Sequence, residues 1–169
     1  PLIQKNSDIV KQQSSETFMR GLNEKIKDVA NSKIGGRELV EIPIDGVVVF
    51  DSVKKAIILY INVDGSIYAA GGAFPIEGDD CVSDTGTWGS DLPEMLCVQS
   101  RSVGDKYAVE YSLSYKTLEV IEESELKASY RIELTGNTQR GGKGHKIHIA
   151  VSYTHLRAHE TRHDLVCRL

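Results

Sequence analysis

The feature that most constrains this chain is a change of hydrophobic period at Gly35-Gly36. Upstream of it, Phe18, Leu22, Ile26 and Val29 recur every three or four residues, and Met19 and Ala30 widen the stripe. That spacing puts them on one face of an α-helix, so a helix is predicted over 7–32. Ser7 or Asp8 is placed to cap its start and Gly35-Gly36 to stop it. The half up to Ser15 is polar apart from Ile9 and Val10. It is expected either to project beyond the core or to continue a longer helix. Gly21 costs about 1 kcal/mol against alanine inside a helix and is expected to mark close packing.

Downstream the period becomes two, as in strands with one face buried and one wet. Leu39, Val40, Ile42 and Ile44 read as a first strand, placed at an edge by Pro43. Runs at 46–50 and 56–63 follow, and Asp64-Gly65 predicts a hairpin turn with a returning strand over 66–70. Residues 71–93 carry the irregularity, with glycines and prolines throughout. Tyr107, Val109, Tyr111, Leu113 and Tyr115 then alternate with polar residues, 117–121 returns, and Leu126 to Leu134 alternates again. A last strand is expected over 145–149. One helix followed by roughly eight strands reads as α+β: an N-terminal amphipathic helix packed on a mainly antiparallel β-sheet or sandwich. The division expected is 1–36 helix, 37–150 β-rich domain and 151–169 tail.

The tail holds His159-Glu160-Thr161-Arg162-His163, a match to the H-E-x-x-H zinc motif. On a helix, His155, His159, His163 and Cys167 would stack on one face, with Glu160 as general base. The whole of 151–169, however, resembles the in-frame translation of a transposase-type sequencing adapter. Its index bases would span Thr161 to Asp164. The tail is therefore read as non-native and set aside from fold reasoning, and both termini are expected to be open. Without its three arginines, one glutamate and one aspartate, the formal net charge moves from −4 to −5. An acidic balance argues against a nucleic-acid face. No apolar run is long enough to span a membrane, so an anchor would have to lie upstream.

The remaining cysteines, Cys81 and Cys97, flank a loop rich in glycine, aspartate and serine. An even pair there suits a disulfide in an oxidising compartment, stabilising by about 3 kcal/mol in the chain-entropy view. Two unrelated buried thiols are the alternative. Asp84-Thr85-Gly86-Thr87 matches the aspartic-protease signature, but that chemistry needs a second carboxylate sharing a proton. With no second such triplet in the sequence, a turn is expected. Glu77, Asp79, Asp80, Asp84 and Asp91 lack the spacing of a calcium loop and read as a solvated acidic loop. The glycines from Gly136 to Gly144 lack the helix that a phosphate loop requires and read as a basic hairpin. His145 and His148 fall on opposite faces of a strand. Trp88 either pins its loop or serves as a contact residue. No cofactor, metal or catalytic residue is expected.

Phe18-Met19-Arg20-Gly21-Leu22-Asn23-Glu24-Lys25-Ile26-Lys27-Asp28-Val29-Ala30, followed beyond Gly35-Gly36 by strands, resembles the pilin-like surface proteins of bacteria and archaea. These have a cleaved signal, a long N-terminal helix with an apolar first half, and a β-rich head often carrying a disulfide loop. The resemblance implies that Cys81, Trp88 and Cys97 belong to that loop, and that an apolar half-helix and cleavage site lie upstream. It also implies a non-catalytic, extracytoplasmic or cell-surface subunit that self-assembles or joins other surface subunits. The alternatives are a ligand- or partner-binding β domain using the 71–95 loop, and a hydrolase built on Asp84 or on the zinc motif.

Overall fold

The structure, a computed structural model, describes residues 2–32, 36–136, 140–152 and 160–168, with the backbone alone for 151, 152 and 160–168. Helix α1 spans Leu2–Ala30. The strands are β1 Arg37–Glu41, β2 Val47–Asp51, β3 Ala56–Val63, β4 Phe74–Glu77, β5 Thr85–Thr87 and β6 Glu94–Val103, then β7 Lys106–Tyr115, β8 Thr117–Glu122, β9 Glu125–Thr135, β10 Arg140–Gly141, β11 Lys146–Ser152 and β12 Glu160–Arg168. They form two six-stranded sheets, ordered β1-β11-β12-β9-β8-β5 and β10-β2-β3-β7-β6-β4. Pairing is antiparallel except for β9 with β12 and β5 with β8. The architecture is α+β, one helix on mostly antiparallel sheet, and no described helix is long and apolar enough to cross a membrane.

The core joins α1 to both sheets. Met19, Leu22 and Ile26 pack with Phe50, Leu59 and Tyr111 of one sheet and with Ile132, Leu134 and Ile147 of the other. Burial of such side chains is the main driving force for the fold. Helix formation begins earlier than the apolar stripe indicates. Asp8, Gln12 and Ser15 are buried in the same three-and-four phase as Met19 and Leu22. The expectation that this polar half projects from the core is therefore overturned from Asp8 onward. Ser7 and Asp8 lie inside α1, so neither caps it. Its C-terminal end is closed by Asn31 and Ser32 amides donating to Lys27 and Val29 carbonyls, and Gly35 lies outside the described residues. Gly21 is exposed with nothing within 4 Å of the position of an added Cβ, so it marks no close packing.

Other corrections have local causes. The hairpin expected at Asp64-Gly65 does not form, because β3 already has β2 and β7 on its two edges. The amides of Asp64 and Gly65 instead donate to the Asp8 carboxylate at 3.0 and 2.9 Å. The first strand stops at Glu41, before Pro43, and is an edge strand as expected. Strand β6 was not separable by alternation, since it starts covered on both faces. On β9 all of residues 125–128 are exposed, Leu126 among them, and the register slips between Val120 and Ile121 of its partner β8. Among the described residues there are twelve strands against the roughly eight expected.

Candidate functional site

Most of the irregular chain between β4 and β6 is fastened by its own acids. Cys81 in the loop is bonded to Cys97 of β6, with Cα atoms 6.0 Å apart. Beside it the Asp80 carboxylate accepts the amides of Ser83 and Val82 at 2.6 and 2.8 Å. These bonds, aided by the Ser83 side chain and the Lys116 ammonium, hold its pKa well below the usual carboxylate range. Lys116 is buried at the passage from β7 to β8 and lies 3.4 Å from Asp80 and 3.5 Å from Asp79. Asp91 accepts the Thr87 amide, and Asp79 the Leu92 amide. Glu77 is held by Arg20 and Asn23 of α1. Asp79, Asp80 and Asp91 thus clamp the loop that was expected to be simply solvated; Asp79 and Asp80 face Lys116, and Glu77 faces Arg20. Among the described residues no three His, Cys, Asp or Glu side chains group as metal ligands.

Asp84 enters this arrangement through its backbone, its carbonyl accepting the Thr117 amide at 2.9 Å. The turn expected over Asp84-Thr85-Gly86-Thr87 is instead the short strand β5, paired in parallel with β8. Below the loop lies a cleft of about 750 Å³, lined by Cys81, Asp84 and Thr85 together with Glu110, Ser112 and Arg131. Its walls mix hydroxyls with charges of both signs, a surface suited to a polar ligand.

A second, apolar feature stands at the C-terminal end of α1. The Trp88 amide donates to the Glu119 carbonyl at 2.9 Å, holding the loop against β8. The indole meets the Tyr130 ring edge-on, with centroids 5.1 Å apart and planes at 67°. The Tyr130 hydroxyl donates to Asn31 Oδ1, just past α1, and burial raises its pKa. Two hollows of about 170 and 380 Å³ share Trp88 and Tyr130. Val120, Ala128 and Ser129 line the first, and Asn31, Gly89, Pro93 and Leu118 the second. Trp88 thus packs on Tyr130 while its amide fastens the loop to β8, and half of its surface stays exposed.

The zinc motif does not form its helix. Glu160–Arg168, which carries Glu160, His163 and Cys167, is strand β12 between β9 and β11. His155 and His159 lie outside the described residues. Residues four apart along a strand lack the one-turn spacing of helical ligands. His145 precedes β11 instead of lying in it, with Nδ1 3.1 Å from the Gly142 carbonyl, while His148 is an exposed residue of β11. In the glycine run, Arg140–Gly141 pairs with β2, and residues 137–139 lie outside the described residues.

Sequence reasoning missed Asp8, Gln12, Lys116 and Tyr130. For the first two a signal existed: continuing the helical phase of Met19 backwards lands on Ser15, Gln12 and Asp8. For Lys116 and Tyr130 the signal is three-dimensional only. No family model, no curated protein and no solved structure matches the chain.

Proposed function

We propose that this chain is a non-catalytic, pilin-like structural subunit displayed outside the cytoplasm. The observation that carries the reading is the seating of α1. A 29-residue helix leads into the strands and is held by one continuous face against the β-rich head, whose irregular loop is closed by Cys81–Cys97. The disulfide supports an oxidising location. The clamping of loop carboxylates by Lys116, Arg20 and backbone amides supports a structural use of that loop. Recovering the coding sequence upstream of Pro1 tests the proposal. A prepilin-type cleavage site followed by an apolar half-helix is expected, and a different segment there would sink it. A clean amplicon of the locus is expected to lack the codons for 151–169. Native codons for that stretch would end the adapter reading.

The cleft beneath the disulfide loop supports a second reading, a ligand-binding domain using 71–95. Arg131 and Glu110 would anchor a polar ligand there. Titration with small polar compounds, followed by NMR shifts at Thr85 and Ser112, is expected to give saturable changes on this reading alone. For the hydrolase alternative, peptide cleavage by the wild type and its loss in Asp84→Ala would both be required.

A further inference from the structure

Among the described residues, the core face of the sheet is not covered along its whole length. Helix α1 ends beside Tyr130, and beyond it Leu118, Val120 and Ala128 share that face with the Trp88 ring. Half of Trp88 (51%) is exposed. The adjoining β8–β9 hairpin tip is acidic, with Glu122, Glu123 and Glu125 all exposed. At the opposite end of α1, Leu2, Ile3 and Val10 expose 77, 88 and 59% of their surface. With Ile9 they recur two turns apart, on the side of the helix away from buried Asp8, Gln12 and Ser15. Lys5 is exposed within this first part of the helix.

From this pairing we infer that the first turns of α1 of one copy dock on the Trp88–Tyr130 shelf of the next. The inference rests on the structural-subunit reading and names its self-contact. The apolar stripe meets the two hollows, and a void of about 150 Å³ already accepts a benzene ring. Lys5 meets the glutamates of the hairpin tip. The stripe ends at Val10, about 30 Å along α1 from its last residue Ala30, so it cannot reach the shelf of its own chain. A contact between two different patches is heterologous, and unless it closes into a ring it builds an open chain of subunits.

Sedimentation of the full chain over a wide concentration range is the test. Trp88, the only tryptophan, reports shelf occupancy through its fluorescence. The wild type is expected to associate with a blue shift of emission. Leu2→Gln, Ile3→Gln and Val10→Gln together disable the stripe, and Ala128→Glu disables the shelf. These positions are exposed, so folding is retained and checked by circular dichroism. Each variant alone is expected to weaken association about tenfold or more. Mixed, they are expected to form one-to-one pairs and nothing larger, because one intact stripe meets one intact shelf.

Lys5→Glu is expected to weaken association and Glu122→Lys with Glu123→Lys in the partner to restore it. A wild type that remains monomeric overturns the inference, as does a mixture that fails to pair or association unaffected by both variants. If an upstream prepilin segment is found while the chain stays monomeric, this contact alone fails. Pairing without such a segment removes the pilin assignment and leaves the contact standing.

Discussion

The two halves of α1 lie on the same face of the domain and are held there by different forces. Met19, Leu22, Ile26, Val29 and Ala30 are seated by apolar burial, a force that depends on area and little on direction. Asp8 and Gln12 are seated by hydrogen bonds, while the buried Ser15 hydroxyl bonds back to the Lys11 carbonyl of its own helix. Gln12 Nε2 donates to the Gly65 carbonyl at 2.9 Å and Oε1 accepts the Ile67 amide at 2.9 Å. Asp8 takes two amides from the chain after β3. The Tyr111 hydroxyl donates to the Gln12 carbonyl. The polar half supplies partners that an abandoned hairpin would otherwise lack, and buried backbone amides need such partners. Burial along one helix therefore follows geometry, while the chemistry of the seat changes midway.

Truncation separates the halves most strongly. Leu22→Ala is expected to cost about 2–5 kcal/mol, the range for removing a buried leucine side chain. Denaturant unfolding measures it, and a loss within error of zero would show that the apolar half is not the main seat. Gln12→Leu sharpens the contrast, because it adds apolar surface where a hydrophobic seat would welcome it. It is nevertheless expected to destabilise by about 1–3 kcal/mol, since the Ile67 amide and Gly65 carbonyl lose their partner. A stabilised Gln12→Leu would erase the distinction between the halves.

What was legible follows the same line. Strand β3 runs from Ala56 to Val63 as its largely apolar run reads, and β7 alternates as Tyr107 to Tyr115 reads. The disulfide was legible as one of two possibilities for Cys81 and Cys97. Hydrophobic period reports only faces that are apolar, so it missed the burial of Asp8, Gln12 and Ser15, and the Asp64-Gly65 turn signal is local and blind to the pairing of β3 on both edges. The site was less legible. The Trp88 contact needs Tyr130, 42 positions away in sequence, and the cleft needs β7, β9 and the disulfide loop together. The zinc motif shows the converse: its described part, Glu160 to His163, lies on a strand backbone, away from the helix its chemistry requires.

The polar seat extends to Tyr68, whose hydroxyl donates to Glu16 Oε2 at 3.1 Å and lies 3.1 Å from the Tyr111 hydroxyl. Burial first, and then the Glu16 carboxylate, push its pKa up to about 12. In the unfolded chain it titrates near the ordinary 10.0. Between those values the unfolded state has lost the proton that the folded state keeps, so stability present below pH 10 falls as pH rises towards 12. Melting temperature is expected to drop more steeply over that window in the wild type than in Tyr68→Phe. Equal slopes would remove Tyr68 from the polar seat.

The smallest effect lies between the two halves. Gly21 is exposed on α1, its backbone is helical, and an added Cβ meets nothing within 4 Å. Gly21→Ala therefore alters neither seat. It is expected to stabilise by up to about 1 kcal/mol through helix propensity and the lower entropy of the unfolded chain. The gain should be the same in the Leu22→Ala and Gln12→Leu backgrounds only if the helix stays continuous when either seat is weakened. If Gln12→Leu abolishes the gain while Leu22→Ala keeps it, the polar bonds are what carry helical order across Gly21. A double-mutant cycle on unfolding free energies reads that difference directly.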